Sequence, residues 1–272
     1  MAQLFATHER IVPTWLAVAG HLLSQPGYIA RNALLEIANP GEISKEDLLT
    51  LRKVDAAMQA SVPGLTIETV ASTIFPQGLY TRYGRPDLYG HYRAVISRAR
   101  KDKTWGTYFD RMTRRVGPNG ESVNPLETLV EKLRRAALPA SRTYQSVFEL
   151  CPTDPAIELA EIEMGGELAT YDPTHDALFL RGGPCLSHLS FKITNKTQVD
   201  LTAIYRSHHY CSRALGNLVG LSRLLRFAAR EANLKIGTLS CLSTHAELDL
   251  VSWGGPGAGS VAKGRAVLAT LA

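Results

Sequence analysis

Residues 189–217 read LSFKITNKTQVDLTAIYRSHHYCSRALGN. Two short β-rich runs, LSFKIT (189–194) and VDLTAIYRS (199–207), flank Asn195, Lys196 and Thr197, and the pattern predicts a β-hairpin. The segment then changes period. ALGNLVGLSRLLRFAAREAN (214–233) is the longest helix candidate, with Leu215, Leu218, Leu221, Leu225 and Ala228 on one face and Arg223, Arg226 and Arg230 on another. Further strands are predicted at ALFLR (177–181) and IGTLSCLST (236–244). Strands and helices that mix without strict alternation predict an α+β fold, a mixed sheet backed by long helices.

Working outward, Ser44 followed by Asp47 opens a capping-box-like helix over 44–60 with apolar positions 48, 51, 54 and 58. Pro125 starts another over 125–137, with Leu126, Leu129, Val130 and Leu133 on one face. Residues 11–23 form an amphipathic helix too short to span a bilayer, and no cleavage signal follows it. GGPGAGS (254–260) reads as a flexible loop. No repeat or long linker breaks the chain, so the expectation is a single domain over residues 1–272. Thirty Lys and Arg against 25 Asp and Glu leave a net charge of +5. That mild surplus suits an anionic small molecule and does not single out nucleic acid. Four cysteines without paired spacing read as reduced thiols, and the expectation is a cytoplasmic protein without membrane or nucleic-acid partners.

Cys185 stands in RGGPCLSHLSF (181–191), just after Pro184 and just before a strand, and Arg206 follows 21 residues later. A guanidinium lowers a nearby thiol's pKa and binds phosphate bidentately, whereas the commonest fate of a free cysteine is a buried, inert thiol. Pro184-Cys185, Arg206-Ser207 and Asn217 ten residues after Ser207 resemble the thymidylate synthase and pyrimidine hydroxymethylase superfamily. Weaker matches are Gly106-Thr107-Tyr108-Phe109-Asp110-Arg111, Asn124-Pro125-Leu126, Ser141-Arg142-Thr143, Glu68 in LTIETVASTIF, and His245 in STHAELD. The resemblance is best over 184–249.

What it implies is a thymidylate-synthase-like fold and one-carbon transfer to carbon 5 of a pyrimidine nucleotide, with 5,10-methylenetetrahydrofolate as donor. Carbon 5 of uracil is a poor nucleophile; a thiolate adding to carbon 6 makes it enolate-like. By resemblance Cys185 is that thiolate, and Glu68 and Tyr108 form the network that removes the carbon 5 proton. Arg206 and Ser207 hold the phosphate, and Arg142 reaches it from the second subunit of a homodimer. Asn217 reads uracil by donating to O4 and accepting from N3; His245 contacts the sugar. Departures fall on the folate and sugar sides. His209 replaces a folate-binding aspartate, Glu247 a sugar-binding tyrosine, Thr143 a second arginine, and Ala214-Leu215-Gly216 a Leu-Pro-Phe. They leave a second reading open, a non-catalytic or folate-independent nucleotide-binding relative.

Other constellations are weaker. His208, His209 and Cys211, with His245, Glu247 and Asp249 downstream, carry zinc-compatible side chains without a zinc spacing, and no metal is expected. GGPGAGSVAKG lacks the Gly-Lys-Ser/Thr of a phosphate loop. The arginines at 223, 226 and 230 have no interleaved aromatics and read as a solvated face.

Overall fold

The computed structural model describes residues 5–99, 106–116, 119–150 and 184–271. The strand predicted at 177–181 lies outside them. Helices and a mixed sheet give the α+β class expected. Strands β1 (Phe5–His8), β2 (Ile29–Ile37), β5 (Glu149–Leu150), β6 (Leu186–Thr194), β7 (Gln198–Tyr205) and β9 (Lys235–Glu247) run in the order β1-β2-β9-β7-β6-β5, and β8 (His208–His209) pairs with β9. A separate ribbon joins β3 (Arg115–Val116) to β4 (Ser122–Val123). The predicted hairpin forms: Asn195 and Lys196 take φ of 52° and 57° between β6 and β7, both central residues in the left-handed region that a tight hairpin turn needs. No helix among the described residues is long and apolar enough to cross a membrane.

The chain divides into two compact units, Met1–Ser72 with Thr202–Arg223 and Gly237–Ala272, and Thr73–Leu201 with Leu224–Ile236. In the first, β1 pairs parallel to β2 and β2 antiparallel to β9, with Arg31 opposite His245. Helix α1 (Ile11–Ser24) buries Trp15, Val18, Ala19 and Leu22. Helix α2 (Lys45–Ser61) carries the expected capping box of Ser44 and Asp47. Its apolar face is only partly the predicted one. Val54 and Met58 are buried, but Leu48 is 45% exposed. Asp47 turns inward instead, accepting a 2.7 Å bond from Arg10 Nε as well as the Ser44 amide, and so rotates the inner face onto Asp47, Val54, Ala57 and Met58.

The 254–260 loop is a tight connector into α9 (Ser260–Ala269), a helix the sequence reading passed over. A Cβ at Gly264 would lie 2.2 Å from the carbonyl oxygen of Leu250, so only glycine allows this close packing.

In the second unit, α4 (Gln77–Tyr83), α5 (Asp87–Ala99) and α6 (Tyr108–Thr113) bring Tyr80, Tyr92 and Phe109 to an aromatic cluster, and α7 (Pro125–Ala136) follows. Phe75 lies 4.9 Å from Phe227 and 5.7 Å from Phe109, and Tyr92 meets Phe109 edge-on at 4.7 Å. Leu126, Leu129, Val130 and Leu133 of α7 are buried as the spacing predicts, and Asn124 caps the helix by accepting from the Glu127 amide. Arg85, beside α4, forks onto Glu127 at 2.6 Å and also meets Glu131 and Glu231.

Candidate active site

Cys185 directly precedes β6. Its amide donates to the Tyr108 hydroxyl at 3.0 Å, and the next amide, of Leu186, donates to the same oxygen at 3.3 Å. One phenol oxygen therefore holds two successive N–H groups at the entry to the strand. Tyr108 is positioned in turn by its helix: Thr107 caps α6 by accepting from the Asp110 amide at 3.1 Å and meets the Tyr92 hydroxyl, and Phe109 anchors the first turn in the aromatic cluster. Tyr108 is buried and Cys185 half-buried. The other described cysteines are fully sequestered. Burial pushes the Cys211 thiol far up and the Cys241 thiol up to about 12, so neither forms a thiolate near neutral pH. Cys151 lies outside the described residues. Arg142, in the same unit as Cys185, is exposed.

The remaining residues assigned from sequence belong to the first unit. Arg206 is exposed and Ser207 half-exposed in the bend after β7, and the Thr244 hydroxyl fastens that bend by donating to the Arg206 carbonyl at 3.0 Å. Strand β8 runs parallel to β9, setting His208 opposite Ala246 and His209 opposite Glu247. His209 Nε2 and His245 Nε2 each stand 3.7 Å from Glu247 Oε2, and His245 Nδ1 meets the Arg31 guanidinium. The structure thus gathers His209 and His245 around the Glu247 carboxylate and adds Arg31, which the sequence reading missed. Opposite this patch Asn32 takes φ of 54°, a conformation asparagine tolerates, and the strict alternation of β9 breaks: Ser243 is buried, Thr244 and His245 are half-exposed, and Ala246 is buried.

Asn217 sits in the first turn of α8 (Leu215–Glu231), 5% exposed. Its Nδ2 lies 3.1 Å from His208 Nε2, and His208 Nδ1 lies 2.9 Å from Ser243 Oγ. Tyr205 stacks on the His208 ring at 4.0 Å and 3°. Burial, with His209 adding a like charge, drives the His208 pKa down to about 3, so the ring is neutral at physiological pH. Both ring nitrogens are occupied, which removes His208 from any metal set. Among the described residues no group of three or more His, Cys, Asp or Glu is arranged to hold a metal ion.

Between His209 and α8 the backbone widens into a π-helical turn, Tyr210–Ala214. Two indoles pin it: Trp15 Nε1 donates to the Tyr210 carbonyl at 3.0 Å, and Trp253 Nε1 to the Cys211 carbonyl at 2.9 Å. Asp249 takes the Cys211 amide at 2.7 Å. Such turns are rare and recur where side chains must be aimed; here the turn sets the approach from Ser207 to Asn217.

Glu68 opens α3 (Ile67–Ile74), whose first amide, that of Ile67, is held by Asp55 at 2.7 Å. The carboxylate is 60% exposed and takes both arms of Arg223 at 2.9 and 2.6 Å, with Ser72 donating at 3.0 Å. The arginine holds its pKa below the ordinary carboxylate value. Arg223 is therefore a partner of Glu68 rather than part of a purely solvated arginine row.

No family model matches the chain. Curated proteins named "Putative thymidylate synthase" do. One from Methanococcoides burtonii is 37% identical over 70 residues, 26% of this chain and 32% of that protein. One from Methanosarcina mazei is 28% identical over 135 residues, 50% of each chain, and one from Methanosarcina acetivorans is 27% identical over 133 residues, 49% of each. The chain thus matches between a third and a half of the length of these curated relatives, a distant relationship.

Proposed function

We propose that the chain transfers a one-carbon unit to carbon 5 of a pyrimidine nucleotide, a uracil nucleotide first, through a covalent bond between Cys185 and carbon 6. The observation that supports it most is the Tyr108–Cys185 pair. Two residues 77 positions apart, assigned to the same chemistry on separate motifs, are joined by a hydrogen bond from the Cys185 amide to the Tyr108 hydroxyl, which the next amide, of Leu186, reinforces, at the one described cysteine that is not fully sequestered. The distant similarity to proteins named as thymidylate synthases points the same way.

The Cys185 thiolate donates its electron pair to carbon 6, a C–S bond forms, and the ring's π electrons move toward carbon 5 and O4. Tyr108 holds the cysteine backbone during this step. Arg206 and Ser207 grip the phosphate, Arg142 reaches it from the partner of a homodimer, His245 contacts the sugar, and Asn217 reads the base. Once the new bond at carbon 5 is made, its proton would leave through water ordered by Glu68 as the folate nitrogen departs from the transferred carbon with its electron pair, and hydride or water would then add to the exocyclic methylene left behind. Expulsion of the Cys185 thiolate then restores the ring. A carboxylate kept ionised by Arg223 suits an orienter of water better than a proton acceptor, and the pair has to open toward the ligand. The donor implied by the resemblance is 5,10-methylenetetrahydrofolate, which supplies the carbon when bound. His209, at the position the resemblance gives to a folate-binding residue, would offer it an accessible imidazole, and Glu247, 3.7 Å away, would serve the sugar.

The test is transfer of label from carbon-labelled methylenetetrahydrofolate into dUMP, UMP, dCMP or CMP. Incorporation into one of them is expected. Nucleotides that protect Cys185 from alkylation yet receive no label would support instead the non-catalytic relative.

A further inference from the structure

The Asn217 amide has one hydrogen-bond partner among the described residues, His208, and that partner is held from behind by Ser243. With Nδ2 facing Nε2, the contact works in one sense only: Asn217 donates, Nε2 accepts, and the ring proton sits on Nδ1, donating to Ser243 Oγ. The stacked Tyr205 keeps the ring in plane. Rotating the amide by half a turn would set Oδ1 against the Nε2 lone pair. Asn217 is thus pinned, with Oδ1 and its second N–H left for a ligand.

We propose that His208 is a positioning residue that fixes the Asn217 amide and thereby makes the site select uracil over cytosine, an inference that rests on Asn217 being the base reader. A uracil ring that sets N3–H against Oδ1 and O4 against the remaining N–H is matched at both positions. Cytosine in the same pose brings a lone pair to Oδ1 and an amino group to the N–H, mismatched at both. Only a flipped amide would suit cytosine, and at His208 that flip demands the opposite ring tautomer, with Nε2–H donating to Oδ1 and the Ser243 hydroxyl turned to donate to Nδ1.

The experiment has two readouts. Nucleotide affinities are measured for the wild type and for His208→Gln, whose side-chain amide keeps a hydrogen bond to Asn217 but can present either end. The wild type prefers the uracil nucleotide, and in His208→Gln that preference falls about tenfold or more while nucleotide binding persists. Ser243→Ala, which frees the ring proton, lowers the preference in the same direction and serves if His208→Gln does not fold. An unchanged preference in these variants, or equal loss for both bases, overturns the proposal. Independently, a long-range proton–nitrogen NMR spectrum of His208 in the wild type shows Nδ1 protonated and Nε2 bare. A proton on Nε2 overturns the proposal whether or not nucleotide binds. A wild type with the expected tautomer that binds none of the four nucleotides overturns the nucleotide reading, and the selectivity with it, while the pinned amide stands.

Discussion

Tyr108 illustrates how one atom organises a site. Its hydroxyl oxygen accepts from both the Cys185 and Leu186 amides, so Tyr108→Phe removes both of these hydrogen bonds where the strand begins. Removing one partner of a buried hydrogen bond costs about 1–3 kcal/mol. The expected outcome is a lower melting temperature together with a loss in kcat larger than any rise in KM, measured by thermal denaturation and steady-state kinetics. His208 sets a second prediction. Its folded pKa of about 3 lies below the ordinary 6.5, so between those values the unfolded chain binds a proton that the folded one refuses. Stability therefore falls as pH drops from about 6.5 toward 3, by up to about 1.4 kcal/mol per pH unit from this residue. Urea denaturation at pH 7 and pH 4.5 measures it, and His208→Gln flattens the difference.

Among the elements, α3 and α8 meet at Gly216. A Cβ there would stand 2.6 Å from Val70 Cβ and 3.1 Å from the Ile67 carbonyl, so Gly216→Ala pushes α3 away and destabilises by roughly 1–3 kcal/mol. Val70→Ala added to it relieves only the 2.7 Å approach to Cγ1 and leaves the Val70 Cβ in place, so chemical denaturation of the double variant, compared with the single ones, is expected to show little recovery. The sequence reading could not have found this contact, because the nearest partner is 146 positions away, between Val70 and Gly216. What was legible was local. The turn at Asn195-Lys196, the Ser44 and Asn124 caps and the α7 face follow from period and turn chemistry within a few residues. Helix α2 shows the limit: its predicted stripe holds at Val54 and Met58 but fails at Leu48, beside Asp47, which is drawn inward by Arg10, a partner 37 residues away. The site divides in the same way. Cys185, Arg206 and Asn217 stand on motifs of recognisable spacing, whereas Arg31 and the roles of His208 and Ser243 become visible only once β2, β8 and β9 lie side by side.

At the scale of the whole molecule the account calls for two subunits, since Arg142 is read as serving the partner's phosphate. Subunit mixing checks it. Arg142→Ala and Cys185→Ser, each inactive alone, combine at equal amounts into a population in which half the dimers are mixed and each mixed dimer carries one intact site. About a quarter of the wild-type activity should return, as symmetry requires, and no recovery despite exchange would place Arg142 in its own subunit's site or outside the site altogether. The central claim, that Cys185 activates carbon 5 by bonding to carbon 6, is tested most directly by tritium release from carbon-5-tritiated pyrimidine monophosphates in the presence of methylenetetrahydrofolate. The account predicts release from a uracil nucleotide by the wild type and a loss of about 10³-fold or more in Cys185→Ser; release at equal rates from both proteins would contradict it.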